Sequence, residues 1–335
     1  MKDAAMDTEI IPNTTLDDLD MDRVHAHIET AISKGRYQGT IDPIRFLLQH
    51  NAVTQAHELI PTITGIVMFG TTPQIALPHA VIDLAQFYGT KPLSYEVVDF
   101  QKGIGGCLPE QIDHIERYLW RNSLHGFRLG DGAQRVEEHE YLSSVLREIT
   151  VNAVAHRDYV VKHSVIRVSM FRDRVELTSP GTLPLGVTLD NILDSQNARN
   201  PAILTLLYQA GYVEGFGMGL NTVFEAMHEE GLAPPKLVNT DTSFTVIVYG
   251  RSRSDFEPEA QLSAAVPVLH LTTAQQRIYD LLLHQGELSF AEVENAFVGR
   301  SRRSLQRDLR ALMDADLITT VGATWQVRYV PRKSR

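Results

Sequence analysis

A stretch without hydrophobic periodicity, residues 251–270, separates two patterned regions and constrains the fold of this chain more than any other feature. It contains two prolines and three serines, a composition typical of a linker rather than of a helix or a strand. A chain of 335 residues has room for two or three domains. We therefore expect a separate hydrophobic core on each side of this linker.

The composition of the chain excludes several classes of protein. Its single cysteine, Cys107, rules out an internal disulfide framework and a multi-cysteine zinc site. No apolar run reaches the roughly 18 residues that a membrane span needs, and the first residues lack the pattern of a signal peptide. The 13 histidines show no HExxH spacing, and no P-loop sequence occurs. These observations predict a cytoplasmic protein without a membrane partner.

Hydrophobic patterning predicts an α+β protein made of several consecutive pieces. These are an acidic tail at 1–20, a mixed α/β region at 21–135, a second α/β region at 136–250, the linker at 251–270 and a compact module at 271–335. Residues 1–20 have little apolar periodicity, which predicts a tail or an arm that becomes ordered only with a partner. In the first α/β region, IPTITGIVMFG predicts a buried strand ending at a glycine turn, and QIDHIERYLW predicts a helix.

The segment YLSSVLREITVNAVAHRDY predicts a helix with one apolar and one polar face. The apolar stripe consists of Leu142, Val145, Leu146, Ile149 and Ala153. Glu148, Asn152 and His156 lie four residues apart and therefore share another face. A carboxylate one turn away from a carboxamide can act as a general base beside a ligand for Mg²⁺. By spacing alone, an ordinary polar surface stripe remains the alternative.

Glycines follow a predicted hairpin in the same region. VIRVSMFRDRVELTSPG alternates as two strands joined by a tight turn near Arg172 and Asp173. Gly215, Gly217 and Gly219 then alternate just before a strong helical pattern. Glycines let backbone N–H groups approach an anion, and a helix N-terminus favours phosphate. The arrangement indicates a phosphate-binding segment, although a glycine triplet alone is a weak signal.

Several of these segments together resemble a known ATP-binding class. REITVNAVAHRDY resembles the N-box of the GHKL (Bergerat-type) α/β sandwich, VEGFGMGL resembles the glycine box of its ATP lid, and DTSFTVIVYG resembles its closing strand. HRDY, SPGTLP, ARNP and GYVEGFGMGL, in this order, are similar to the RecG-like C-terminal, or Schlafen-associated, family of transcriptional regulators. The resemblance extends over about residues 40–250.

The resemblance implies ATP and Mg²⁺ as cofactors and a role for individual residues. Asn152 would bind Mg²⁺, and Glu148 would be the base that orients a hydrolytic water. The remaining ATP contacts would be Ser179, Gly181, Gly215, Gly217, Gly219 and Thr242, with Gly181 lining the adenine side. The sequence departs from the class at Ser179, since most GHKL proteins have there an Asp that reads the adenine amino group. The first residues also show none of the glycine-rich motifs of the AlbA-type domain that commonly begins proteins of this family, so we do not expect its function here.

The sequence of the C-terminal module, residues 271–335, predicts three helices followed by a hairpin. Capping boxes at Thr273–Gln276 and Ser289–Glu292 predict the starts of the first two helices. SRRSLQRDLRALMDADLI predicts the third helix, and LITT and WQVRYV predict the two strands of the hairpin. This order is that of a winged helix-turn-helix, whose third helix reads DNA.

The third helix of this module has a predicted basic face. Contacts to DNA are expected from Arg302, Arg303, Gln306, Arg307, Arg310 and Arg328. The net charge of the chain is −10, but residues 270–335 hold ten Lys/Arg and seven Asp/Glu and therefore carry +3. Docking of another protein is the alternative function of a winged helix.

These features predict a nucleotide-responsive transcriptional regulator that binds double-stranded DNA as a homodimer. Two alternatives remain. One is a GHKL-type ATPase that acts in DNA transactions or phage defence. The other is a domain of the same fold that no longer binds nucleotide, for which the departure at Ser179 is the best support.

Overall fold

The structure is a computed structural model that describes residues 6–93, 96–129, 135–195, 197–213, 219–251, 272–297, 300–314, 317–321 and 328–332. The chain forms two compact units, Met1–Pro258 and Glu259–Arg335. This division agrees with the two cores expected from the linker. Residues 252–270 of the predicted linker lie outside the described residues.

The first unit contains eight described α-helices and ten described strands, with 3₁₀ turns at Met6–Thr8 and Leu16–Asp18. The helices are α1 Met21–Ser33, α2 Pro43–Gln49, α3 Ile63–Phe69, α4 Pro73–Ala76, α5 Leu108–Asn122, α6 Ser143–Ala155, α7 Pro201–Ala210 and α8 Gly219–Glu229. The strands are β1 Val53–Gln55, β2 Leu59–Pro61, β3 Ile82–Phe87, β4 Val97–Ile104, β5 His125–Leu129, β6 Arg135–His139, β7 Ile166–Met170, β8 Arg174–Pro180, β9 Lys236–Asn239 and β10 Ser243–Tyr249. Within the described part of the chain, no helix combines the length and apolarity needed to cross a membrane.

Six of these strands form one mixed sheet in the order β4-β3-β7-β8-β10-β9. Strands β3 and β7 are parallel, and all the other neighbours are antiparallel. The expected boundary at 135/136 therefore differs from the structure, because β3 and β4 come from the first predicted α/β region and the other four strands from the second. Strand periodicity reveals which face of a strand is buried but not which strand lies beside it.

Helix α6 packs on β8, and α5 and α8 pack beside α6. Its side chains Val145, Leu146 and Ile149 are at most 3% exposed and share one hydrophobic core with Val168 and Leu177 of the sheet. This confirms the predicted apolar stripe of the helix. The predicted hairpin is also confirmed as β7 and β8, which pair antiparallel.

The segment IPTITGIVMFG, predicted as a buried strand, is mainly the helix α3. All seven residues of Ile63–Phe69 are buried, so the run is apolar on every side of the helix. The side chain of Thr62 caps this helix by accepting the N–H of Gly65 at 3.3 Å. A short continuous apolar run does not distinguish a buried strand from a buried helix. The prediction was wrong because this run is buried on every side, a pattern that a buried strand and a buried helix share.

Residues 6–20, predicted as an acidic tail, pack against the first unit. Ile11 and Leu19 are buried in its core. The fully buried carboxylate of Asp7 accepts the N–H groups of Ala202 and Ile203 at 2.8 and 3.1 Å. These belong to the first turn of α7, where N–H groups lack partners within the helix. The structure differs from the prediction since single apolar anchors and a capping carboxylate leave no periodic pattern in a sequence.

The second unit contains three described helices and a three-stranded sheet. They are α9 Thr273–Gln285, β11 Leu288–Ser289, α10 Phe290–Ala296, α11 Arg302–Asp314, β12 Ile318–Val321 and β13 Arg328–Pro331. The strands pair antiparallel in the order β11-β13-β12. A separate core contains Ile278, Val293 and Leu305, one from each helix. Residues 322–327 of the predicted hairpin lie outside the described residues.

Both capping boxes of this unit exist, one of them shifted by a residue. Ser289 and Glu292 exchange the predicted side-chain to backbone hydrogen bonds at the start of α10. At the start of α9 the box joins Thr272 and Gln275 instead of Thr273 and Gln276. Two consecutive threonines give the sequence two possible registers, which the sequence pattern does not distinguish.

We predict that Asp7→Ala destabilises the chain by about 1–3 kcal/mol, because two buried N–H groups of α7 lose their acceptor. The measurement is the free energy of unfolding by urea. Asp17→Ala is the matched control, since this carboxylate in the same segment is exposed and its removal should change the stability by less than about 0.5 kcal/mol. Equal stability of the two variants would contradict the capping role of Asp7.

Candidate functional site

Glu148 and Asn152 form a hydrogen-bonded pair on the polar face of α6. The Asn152 amide nitrogen Nδ2 donates to Glu148 Oε1 at 3.1 Å, and both side chains are half-buried. Because the amide nitrogen is used in this bond, the carboxamide is oriented with its oxygen Oδ1 as the group left for a ligand. The predicted polar face therefore presents one carboxylate and one amide oxygen side by side.

Gly219, the first residue of α8, lies directly against this pair. A Cβ atom at this position would overlap Glu148 Oε1 and would lie 3.0 Å from Asn152 Nδ2 and 3.2 Å from Asn152 Oδ1. A side chain here would require the Glu148 carboxylate to shift, so the N-terminus of α8 lies directly against the pair. The structure thus brings together three residues that the sequence assigned to one site. Gly215 and Gly217 lie outside the described residues.

Ser179, at the end of β8, is buried and bonded to α6. Its hydroxyl donates to the carbonyl oxygen of Ala153 at 2.8 Å, and the residue is only 6% exposed. The last carbonyl groups of a helix lack partners within the helix. Ser179 satisfies one of them and joins the end of β8 to the helix that carries Asn152. Its hydroxyl proton is therefore used inside the protein, and its oxygen keeps only the capacity to accept.

Asn200, just before α7, donates hydrogen bonds to two further carbonyl groups, at the end of α6 and just after it. Its buried Nδ2 donates to the carbonyl oxygens of Ala155 and Arg157 at 2.9 and 2.7 Å. Together with Ser179 it attaches β8 and the start of α7 to the C-terminal end of α6. This asparagine lies in the segment ARNP and had no predicted role.

Gly181 lies in a tight position beside an ion pair. Its φ of +105° favours glycine, and a Cβ would lie 2.6 Å from the Cβ of Asp158. Its N–H donates to the carbonyl oxygen of Thr242 at 2.9 Å, so these two predicted ATP contacts are adjacent. Thr242 is exposed.

The ion pair next to Gly181 joins Asp158 and Arg199, and sequence analysis missed it. Arg199 Nη1 lies 3.0 Å from Asp158 Oδ2, both side chains are at most 15% exposed, and Arg199 also donates to the carbonyl oxygen of Thr182. The signal available in the sequence was the joint presence of HRDY and ARNP. A pairing between residues 41 positions apart is decided by the fold alone.

His156 ends α6 instead of continuing its polar face. The helix stops at Ala155, and the N–H of His156 bonds to the carbonyl oxygen of Asn152 at 3.0 Å. Burial, with the nearby positive charge of Arg199, lowers the pKa of His156 to about 4. The imidazole is therefore neutral at physiological pH.

Arg36 is a further residue that sequence analysis missed. Its Nη1 donates to the carbonyl oxygens of Tyr208 and Val213 at 2.8 and 2.6 Å, and the guanidinium lies 4.8 Å from the centre of the Tyr208 ring. Val213 immediately precedes the segment that contains Gly215 and Gly217. Arg36 thus anchors the chain at the start of the glycine segment.

The donor set suits an ion that brings most of its own ligands. Among the described residues, no group of three or more His, Cys, Asp or Glu could hold a metal ion. The amide oxygen of Asn152 and the carboxylate of Glu148 are hard oxygen donors, which suit Mg²⁺. Mg²⁺ keeps several waters and commonly binds through one or two side chains plus substrate phosphates. The residues therefore fit a magnesium ion carried by a nucleotide rather than an all-protein metal site.

The basic face predicted in the second unit is present on α11. Arg302, Arg303, Gln306, Arg307 and Arg310 are all exposed. Leu305, Leu309 and Leu312 form the opposite, buried face. Arg328, also expected to contact DNA, lies on β13 and pairs with Glu287 at 3.5 Å and Glu292 at 3.1 Å. Its charge is already compensated within the unit.

Two sequence families match parts of the first unit. Residues 163–248 match the sequence family described as "Putative ATP-dependent DNA helicase recG C-terminal", and residues 1–83 match a domain family of unknown function. The first match covers β7, β8, α7, α8, β9 and β10 and begins after Glu148 and Asn152. No curated protein matches the chain.

One solved structure of similar fold is the crystal structure of the DIP2311 protein from Corynebacterium diphtheriae. The TM-score is 0.59 at 19% sequence identity, and the match covers 98% of this chain and 64% of that chain. This chain therefore spans 64% of the length of its structural neighbour. At this identity the likeness concerns the fold, which is a mixed α+β architecture.

We predict that His156 makes the chain sensitive to acid. Its folded-state pKa of about 4 lies below the ordinary 6.5, so the unfolded state binds more protons and stability falls as the pH falls from 6.5 towards 4. Protonation of His156 in the unfolded state should lower the free energy of unfolding by about 2 kcal/mol between pH 7 and pH 5. Urea unfolding at both pH values should show a smaller loss for His156→Gln than for wild type. His163→Gln, a change at an exposed histidine, should behave like wild type.

Proposed function

We propose that this chain is a nucleotide-responsive DNA-binding regulator, in which ATP with Mg²⁺ binds between α6 and the start of α8. The observation that supports nucleotide binding is the position of the Glu148–Asn152 pair against Gly219. The family match at 163–248 supports an ATPase-like domain of the GHKL type. The arrangement of α6 and α8 over a mixed sheet is consistent with that α/β sandwich.

In this proposal each residue of the site has its own role. Asn152 Oδ1, oriented by the bond from its own amide to Glu148, binds the Mg²⁺ that accompanies the phosphates. The N-terminus of α8 and the glycines Gly215, Gly217 and Gly219 contact the phosphates. Gly181 and Thr242 line the adenine side. Ser179 contributes by joining β8 to α6 and offers adenine only an acceptor oxygen.

The DNA-binding half of the proposal rests on the second unit. Its order of helix, strand, two helices and two antiparallel strands is that of a winged helix-turn-helix. The helix α11 presents arginines and a glutamine on its exposed face, which are side chains suited to phosphates, guanine and adenine. A homodimer would place one such helix on each half of a palindromic DNA site.

A second candidate is a domain of the same fold that no longer binds nucleotide. It is favoured by one observation, the use of the Ser179 hydroxyl inside the protein, where the resemblance implies a group that reads adenine. An ATPase acting in DNA transactions is the third candidate, for which the carboxylate of Glu148 would be the base.

We predict that wild type binds ATP with Mg²⁺ and that Asn152→Ala weakens the affinity at least tenfold, because the amide oxygen that holds the ion is lost. Isothermal titration calorimetry measures both affinities. Asn122→Ala removes the same group from the end of α5 and should bind like wild type.

The outcomes separate the candidates. Absence of binding by folded wild type contradicts the nucleotide half and selects the degenerate domain. Hydrolysis that is lost in Glu148→Gln, with binding retained, selects the ATPase.

We predict that the double change Arg303→Ala and Arg307→Ala weakens binding to a 30-base-pair duplex at least tenfold, because two exposed cations leave the face of α11. The slope of the logarithm of the affinity against the logarithm of the salt concentration should fall by about 2. Fluorescence anisotropy measures both quantities. Arg277→Ala on α9 is the control and should change the affinity much less. Equal losses in control and double variant would contradict a reading role for α11.

Regulation requires that the two ligands affect each other. If ATP changes the affinity for DNA by some factor, DNA must change the affinity for ATP by the same factor. Titration of each ligand in the presence and absence of the other therefore tests the regulatory part of the proposal separately from binding itself. Independent affinities would leave two binding activities and no regulator.

A further inference from the structure

Two histidines face each other across the hairpin of β5 and β6. His125 pairs with His139 in the strand register, and their ring nitrogens Nδ1 are 2.9 Å apart. A hydrogen bond at this distance needs a proton on one nitrogen and a lone pair on the other. Both Nδ1 atoms therefore point at the same small volume.

The outer ring nitrogens of both histidines lie near oxygen atoms. His125 Nε2 is 2.8 Å from the carbonyl oxygen of Trp120, an acceptor that requires the N–H form at this nitrogen. His139 Nε2 is 3.7 Å from the carboxylate oxygen Oε2 of Glu137. The N–H at His125 Nε2 leaves its Nδ1 with a lone pair, which accepts the proton of His139 Nδ1, and a metal ion would displace that proton. Histidines that bind metals commonly direct their other N–H at a carbonyl oxygen, as His125 does.

The indole ring of Trp120 supports the two imidazoles. Its ring centre lies 4.5 Å from that of His125 and 4.6 Å from that of His139. Trp120 belongs to α5, and His125 and His139 belong to the hairpin that follows it, so helix and hairpin fix the rings from different directions. The pair thus depends on three elements, and both histidines remain accessible to solvent.

We propose that His125 and His139 form a binding site for a transition-metal dication of the zinc, nickel or copper class. Two nitrogens bound at about 2.1 Å to one tetrahedral ion are about 3.4 Å apart, so the observed pair needs only a small rotation of the rings. Imidazole nitrogen selects these ions over Mg²⁺ and Ca²⁺, which prefer oxygen. The remaining coordination positions belong to water or to a group from outside the chain. This site is separate from the nucleotide site and does not depend on the proposed function.

The first experiment uses the fluorescence of Trp120, which the two rings contact. The chain has two tryptophans, so Trp325→Phe leaves Trp120 as the only one. Titration of this untagged protein with Cu²⁺ should quench the fluorescence saturably at one ion per chain. His125→Ala and His139→Ala should each weaken the apparent affinity at least tenfold. His57→Ala, at an exposed histidine elsewhere, should leave it unchanged.

The role of Glu137 gives a finer test. Glu137→Gln keeps the shape of the side chain but removes the charge near His139 Nε2, and this should weaken the apparent affinity roughly tenfold. The Cu²⁺ electron paramagnetic resonance spectrum of the wild-type chain decides the ligands without any substitution. Hyperfine coupling to two imidazole nitrogens supports the site. Quenching that does not saturate, or a spectrum without imidazole coupling, overturns it even if the histidine variants fail to fold.

Discussion

The carbonyl groups at the C-terminal end of α6 are the point on which the first unit depends. A helix leaves its last four carbonyls without internal partners, and here two of them find partners in distant parts of the chain. Ser179 of β8 donates to Ala153, and Asn200 before α7 donates to Ala155 and to Arg157 just beyond the helix. Because these bonds join a strand and a second helix to the end of α6, they fix the surroundings of Asn152 and Glu148, which lie about one and two turns before that end.

The N-terminal part of the chain is structurally continuous with this site rather than a separate domain. Strands β3 and β4 extend the sheet of β7, β8, β10 and β9, Asp7 caps α7, and Arg36 holds the chain that enters the glycine segment. The two family matches, at 1–83 and 163–248, therefore divide a unit that folds as one body. Arg36, which lies in the first match, contacts Val213 in the second match.

Sequence patterns identified the elements whose burial follows a period. The stripe of α6, the β7–β8 hairpin and the buried leucines of α11 were confirmed, since a one-sided pattern needs no knowledge of the partner. Patterns failed at α3, which is apolar on every side, and at residues 6–20, which attach through single contacts. The pairing of Arg328 with Glu287 and Glu292 was likewise not predictable from local patterns, because these partners lie outside β13.

The sequence alone determined which side chains share a helix face, because the period of a helix follows from its backbone geometry. It therefore placed Glu148 beside Asn152 and the arginines of α11 on one surface. The tertiary structure alone decided which residues from distant positions meet. Gly219 against Asn152, Asp158 with Arg199, Asp7 on α7 and His125 with His139 under Trp120 are all such contacts. They depend on the packing of elements and the pairing of strands, which local periodicity does not encode.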